Sequence, residues 1–344
     1  MNIVICIHPG IGRTGTTLLQ KTIEQNADFL YYGRSAINKN TNIKQLLEKL
    51  FYKHEHPYIL KEIGVNTNLE HLDVLMESLA IALFDEWKVF YQAKDLDHTK
   101  ILISDECIFH NPERLIHENF KIISLVVERL EHHIKIFLKS DNVLFNRIMS
   151  ITIRNQADLI HSIWMNESFR SSYWWFKKEE FKLYEVILDF NQIIQTLSFN
   201  QNWDVNIVPF EILKKEGISE YISAVFPAFQ IKSINGHFHP NKSNLMNGLF
   251  CSKFFPISRF VRIKAHCFMY KRKISRKKIS ILNIIPQKLF EILFYLIYPI
   301  ENKFSKEIKV EFDEVFLSQI RNKYSGSNKK LSDRLRLNLD DLGY

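Results

Sequence analysis

Residues 3–17, IVICIHPGIGRTGTT, constrain this chain more than any other stretch. Ile3 to Ile7 is a short apolar run rich in β-branched residues, the pattern of a buried strand. Pro9, Gly10 and Gly12 break it into a turn. Thr16 and Thr17 then open Leu18-Leu19-Gln20-Lys21-Thr22-Ile23, whose apolar positions recur at helical spacing. Strand, glycine-rich turn and helix together cradle an anion. The first backbone N–H groups of the helix point at it, and the helix dipole adds to the attraction.

Gly10 and Gly15 have the GxxxxG spacing of a P-loop, but Thr16 and Thr17 follow where an NTPase has Lys and Ser/Thr. The cation sits earlier, at Arg13. A loop that keeps the cradle and moves the cation suits a different transferred group. The charge balance points the same way: 46 Lys and Arg against 38 Asp and Glu give +8, which favours an anionic ligand or surface.

Other classes are excluded by composition. With 46% hydrophobic residues, global disorder is ruled out. Four scattered cysteines (Cys6, Cys107, Cys251, Cys267) without a CxxC pair give neither a zinc site nor a disulfide framework, and fit a reducing compartment. Ile3–Ile7 is too short for the core of a secretion signal, and no run of about 18 apolar residues is present. The expected location is cytoplasmic.

Further along, Leu69 to Trp87 reads as a helix by period. Ile101-Leu102-Ile103-Ser104 reads as a second strand ending at Asp105-Glu106, and Pro112-Glu113 as the first turn of a helix. Ile148 to Ile153 is a third strand, with Arg154 at its end. Helices are expected over Gln156–Trp164 and Phe181–Phe199, a fourth strand over Val205–Pro209, and a helix from Glu211. Such alternation predicts an α/β chain with a central parallel sheet flanked by helices, and ligands at the carboxyl ends of its strands. Arg13, Glu106 and Arg154 all fall just past such ends. One domain over 1–344 is expected.

The loop, present here as RTGTT, resembles the 5′-phosphosulfate loop of sulfotransferases, commonly KTGTT in the bacterial and heparan-type branches. ITIRNQADLIHSIW, residues 151–164, resembles the 3′-phosphate motif of that family: a strand ending in Arg, then a helix with Ser eight residues on. A guanidinium binds a phosphate monoester bidentately, and a serine hydroxyl completes the contacts. The resemblance implies a three-layer P-loop-like fold. It also implies 3′-phosphoadenosine-5′-phosphosulfate (PAPS) as donor and 3′,5′-adenosine bisphosphate as product, with no metal. Arg13, Thr14, Gly15, Thr16 and Thr17 would hold the 5′-phosphosulfate, and Arg154 and Ser162 the 3′-phosphate.

Ser104-Asp105-Glu106 matches the place where those branches put a glutamate that deprotonates the acceptor hydroxyl. By resemblance Glu106 is the base, with His110 in reserve, and Arg13 joins it in the catalytic pair. The same residues also read as the Walker B end of a Mg²⁺-dependent P-loop kinase or NTPase, with Asp105 on the metal. A third reading has the acids capping a helix at Pro112 or pairing with Arg114. His8, before the loop, is expected to hold the turn, and His237 and His239 could face a substrate.

Asn241-Lys242-Ser243 resembles an N-x-S loop of the family, and Tyr324–Tyr344 resembles the end of bacterial carbohydrate sulfotransferases, where SN..L precedes a short helix and a final GY. The implied acceptor is a carbohydrate, of capsular polysaccharide or lipopolysaccharide type. Between these segments, 253–305 departs as a basic and apolar helical insertion, and 306–344 forms a helical tail. Over 253–300, nine basic residues from Arg259 to Lys278 precede an apolar stretch, Leu289–Tyr298. That composition suits a helix on the inner, anionic membrane surface, a basic hairpin packed on the domain, or a groove for an acidic glycan. No nucleic-acid motif accompanies the charge. The oligomeric state is not legible.

Overall fold

The computed structural model describes residues 1–10, 15–26, 29–33, 41–52, 72–93, 97–105, 108–109, 116–167, 185–198, 202–229, 231 and 314–344. Five strands form its sheet: β1 (Asn2–His8), β2 (Phe29–Gly33), β3 (Asp97–Ser104), β4 (Leu144–Ile153) and β5 (Asp204–Pro209). Their order is β2-β3-β1-β4-β5, and every pairing is parallel. β1 is therefore central, in register from Val4 opposite Lys100 to His8 opposite Ser104 on one side, and from Asn2 opposite Leu144 to Ile7 opposite Met149 on the other.

The period-two alternation of each strand divides the apolar residues between two layers. Ile3, Ile5 and Ile7 of β1, Ile101 and Ile103 of β3, and Met149, Ile151 and Ile153 of β4 face one core. That core is closed by α2 (Thr41–Leu47), α3 (Leu72–Ala93), α4 (Ile116–Leu138), α5 (Gln156–Glu167), α6 (Phe190–Ser198) and α9 (Glu314–Leu335). Cys6, Leu102, Ile148 and Val208 face the opposite core, closed by α1 (Thr16–Asn26), α7 (Glu211–Glu216) and α8 (Ile218–Val225). Both faces of the sheet are covered, which is why β1 reads as a continuous apolar run. Among the described residues no helix is long and apolar enough to cross a membrane.

Several elements differ from the sequence reading. β4 begins at Leu144, four residues before the apolar run. This first part of the strand is tied down by Arg147, whose Nε and Nη2 donate to the two carboxylate oxygens of Glu131 on α4 at 2.6 and 2.7 Å. The helix expected over Phe181–Phe199 is shorter where described: Glu185–Ile187 is a 3₁₀ turn, and α6 starts only at Phe190. Asp189 causes the break, because its carboxylate accepts the Gln192 N–H at 3.0 Å and caps the new helix. Gly217, at φ 93°, divides the helix after β5 into α7 and α8. The edge strand β2, and α2 with the π-helical turn Glu48–Tyr52 that follows it, were not anticipated.

In the tail, the SN pair lies inside α9, and the short helix is a 3₁₀ turn, Asp340–Leu342. Asn328 and Gln156 exchange side-chain hydrogen bonds at 2.7 and 3.0 Å, both buried, and Gln156 Nε2 also donates to the Leu188 carbonyl at 3.2 Å. Leu331 is fully buried beside them. Removing one member leaves the other amide buried without its partner. Asn328→Ala is expected to cost about 1–3 kcal/mol in chemical denaturation, while the Gln156→Leu/Asn328→Leu pair costs less than the sum of the single changes.

Candidate functional site

The carboxyl ends of β1, β3 and β4 meet at one edge of the sheet, and β1 leads there into the glycine turn. Gly10 and Gly15 both take positive φ, 53° and 77°, a backbone that favours glycine. α1 starts at Thr16, with the Leu18 and Leu19 N–H groups bonded to the Gly15 carbonyl at 3.0 and 3.1 Å. The Thr16 and Thr17 amides precede the first helical hydrogen bond, so they are oriented donors at a helix N-terminus. Thr16 Oγ1 is buried and has no hydrogen-bond partner among the described residues. Arg13, Thr14 and the Thr17 side chain lie outside the described residues.

Beneath the turn, a polar cluster fastens three elements. His8 Nδ1 lies 2.8 Å from Ser104 Oγ, Gln20 Nε2 donates to the Ser104 carbonyl at 2.9 Å, and the Asp105 N–H donates to the His8 carbonyl at 3.1 Å. His8 is fully buried, edge-on to Phe226 with ring centroids 5.3 Å apart. Burial pushes its imidazole down to about 3, so the ring is neutral. His8 thus sits where it holds the turn rather than exchanging protons with substrate. Asp105, the next residue after β3, is also buried. Glu106 and His110 lie outside the described residues, as do His237, His239, Lys242, Ser243, Pro112–Arg114 and the 253–305 segment.

Arg154 is the first residue beyond β4, and Phe210 the first beyond β5, its N–H donating to the Ile153 carbonyl at 2.7 Å. The guanidinium carbon lies 5.0 Å from the centroid of the Phe210 ring. The same ring abuts the loop: a Cβ on Gly15 would come within 2.7 Å of Phe210 Cε2. One aromatic side chain therefore spans from Gly15 to Arg154, and Lys214 Nζ stands 6.0 Å from its centroid. Ser162 is half-buried on α5, roughly 9 Å along the axis from Gln156 by the helical rise. His161 beside it is held below its ordinary value by burial, with Arg154 adding to the depression and Asp158 opposing it. The Arg154 charge thus acts along the helix that carries Ser162.

Sequence reasoning missed Phe210, Gln20 and Glu211 as parts of this edge. Nothing local marks them, since each acts through partners far away in sequence. Among the described residues no group of three or more His, Cys, Asp or Glu could hold a metal ion. No protein-family model, curated protein or solved structure matches the chain.

Two outcomes follow. Gly15→Ala should lose about 1–3 kcal/mol, combining the strained positive φ with the collision with Phe210. Gly15→Ala/Phe210→Ala should lose less than the two single changes added together, as measured by denaturant unfolding. For His8, the folded ring resists a proton that the unfolded chain accepts. Its contribution is therefore intact above pH 6.5 and lost progressively as the pH falls toward 3. Between pH 7 and pH 5 the loss from this residue is about 2 kcal/mol. His8→Gln should remove that part of the acid sensitivity.

Proposed function

We propose that the protein moves a sulfuryl group from PAPS to a hydroxyl of a carbohydrate, a capsular polysaccharide, a lipopolysaccharide or a related glycan. The observation that carries the reading is the convergence of two separately recognised motifs. The helix start within RTGTT and the arginine of ITIR follow adjacent strands, at the same sheet edge, with Gly15 and Arg154 against the same Phe210 ring. A nucleotide with phosphates at its 3′ and 5′ positions needs two anion sites set apart in this way. The order β2-β3-β1-β4-β5, with the loop after the central strand, is compatible with a P-loop-like fold. The positive φ of Gly15 and the unpartnered Thr16 hydroxyl fit a phosphate beside them.

In this reading Glu106, next in sequence to the buried Asp105, takes the proton of the acceptor hydroxyl. The acceptor oxygen bonds to sulfur as the bond from sulfur to the 5′-phosphate oxygen breaks, and the electron pair leaves with that oxygen. Arg13 and the amides at the start of α1 meet the developing charge. A guanidinium stays protonated, so Arg13 acts by hydrogen bonding and charge and donates no proton. Arg154 and Ser162 hold the 3′-phosphate. The basic 253–300 segment would hold the protein at an anionic membrane surface on the cytoplasmic side.

A second reading, a Mg²⁺-dependent kinase or NTPase, is favoured by one feature: Asp105 is buried at the end of β3, directly beside β1, where a Walker B aspartate would stand. Thermal melting separates the two, because a ligand that binds only the folded state raises the midpoint. The sulfotransferase reading predicts a rise with 3′,5′-adenosine bisphosphate that disappears in Arg154→Ala. A rise with ADP and Mg²⁺ alone would overturn it. In turnover, Arg13→Lys should keep activity, Arg13→Ala should lose nearly all of it, and Glu106→Gln should abolish transfer while still binding the bisphosphate.

A further inference from the structure

The last two residues of the sequence reach back to the sheet edge at Arg154. The Tyr344 hydroxyl donates to Glu211 Oε2 at 2.8 Å, and the Asn155 N–H donates to Glu211 Oε1 at 3.1 Å. Asn155 uses its remaining groups on both sides: Nδ2 donates to the Gly343 carbonyl, and Oδ1 accepts the Asp158 N–H at 3.1 Å, capping α5. Glu211 is only 7% exposed, so each of its oxygens is met by a donor from a different segment. The donated amide of Asn155 belongs to the peptide bond that joins it to Arg154.

Resting on the donor reading above, we propose that Glu211 and Tyr344 are positioning residues for Arg154. The chain from Tyr344 through Glu211 to the Asn155 amide fixes the peptide from which the guanidinium is presented to a 3′-phosphate. The Arg154 charge opposes the upward shift of the Tyr344 and Tyr221 phenols and adds to the downward shift of His161. Burial and the neighbouring Glu211 carboxylate push the Tyr344 phenol well above its ordinary value, which keeps its hydroxyl a donor. The ring itself packs edge-on against Phe190, with centroids 6.4 Å apart. Packing and hydrogen bonding are therefore separable: Tyr344→Phe keeps the first and deletes only the second. The final GY of the sequence thereby acquires a task that its spacing alone does not reveal.

Calorimetric titration of the full chain with 3′,5′-adenosine bisphosphate and with AMP tests this. Only the bisphosphate engages Arg154, so a residue that orients Arg154 affects the preference between the ligands. A residue that merely supports the fold weakens both equally. Tyr344→Phe should lose about ten-fold of the preference for the bisphosphate and change AMP affinity by less than about two-fold, the scale of one hydrogen bond to a charged group. Glu211→Gln should do the same, and Tyr344→Phe should have no further effect in an Arg154→Ala background. An unchanged preference in both variants, or an equal loss for both ligands, overturns the inference alone. A wild-type chain with no preference for the bisphosphate over AMP refutes the donor reading and this inference with it.

Discussion

Parallel hydrogen bonding of β1 to both β3 and β4 is the constraint on which the rest depends. Because all five strands run the same way, their carboxyl ends open on one edge. The central position of β1 places Gly10 between the end of β3, followed by Asp105, and the end of β4, followed by Arg154. Neighbouring strands lie about 4.8 Å apart, so residues from three strands come within reach of one small ligand without any long-range adjustment.

Buried and packed side chains hold that edge in place. The His8, Ser104 and Gln20 cluster ties α1 to the ends of β1 and β3, and its buried imidazole stays neutral. Phe210 fills the space between the turn and Arg154 and sets their separation. Glu211 joins the start of α5 to the last residues of the sequence. Each is buried or packed, and each connects segments distant along the chain. The edge is therefore held by contacts between segments distant in sequence.

The legible parts of the sequence were those whose signal is local. Ile3–Ile7, Ile101–Ser104, Ile148–Ile153 and Val205–Pro209 are apolar runs, and each became a strand of the sheet. Glycine spacing marked the positive-φ positions Gly10 and Gly15, and the end of the apolar run marked the place of Arg154 just past β4. Elements set by pairing escaped. Asn146 and Arg147 interrupt the apolar pattern of β4 and are held in the strand with Glu131 satisfying Arg147, and Asp189 breaks a helix whose apolar period continues across it. The tail offered SN and GY as resemblances, but their partners Gln156 and Glu211 lie over a hundred residues away and carry no mark of it. Arg13 and Glu106, to which the proposed transfer assigns charge stabilisation and proton removal, lie outside the described residues.

The most direct measurement is a crystal structure with 3′,5′-adenosine bisphosphate bound. The account predicts the 5′-phosphate against the Thr16 and Thr17 amides and the 3′-phosphate bonded to the Arg154 guanidinium, with Phe210 between them. A nucleotide bound with its 3′-phosphate away from Arg154, or with its 5′-phosphate away from the start of α1, would contradict it.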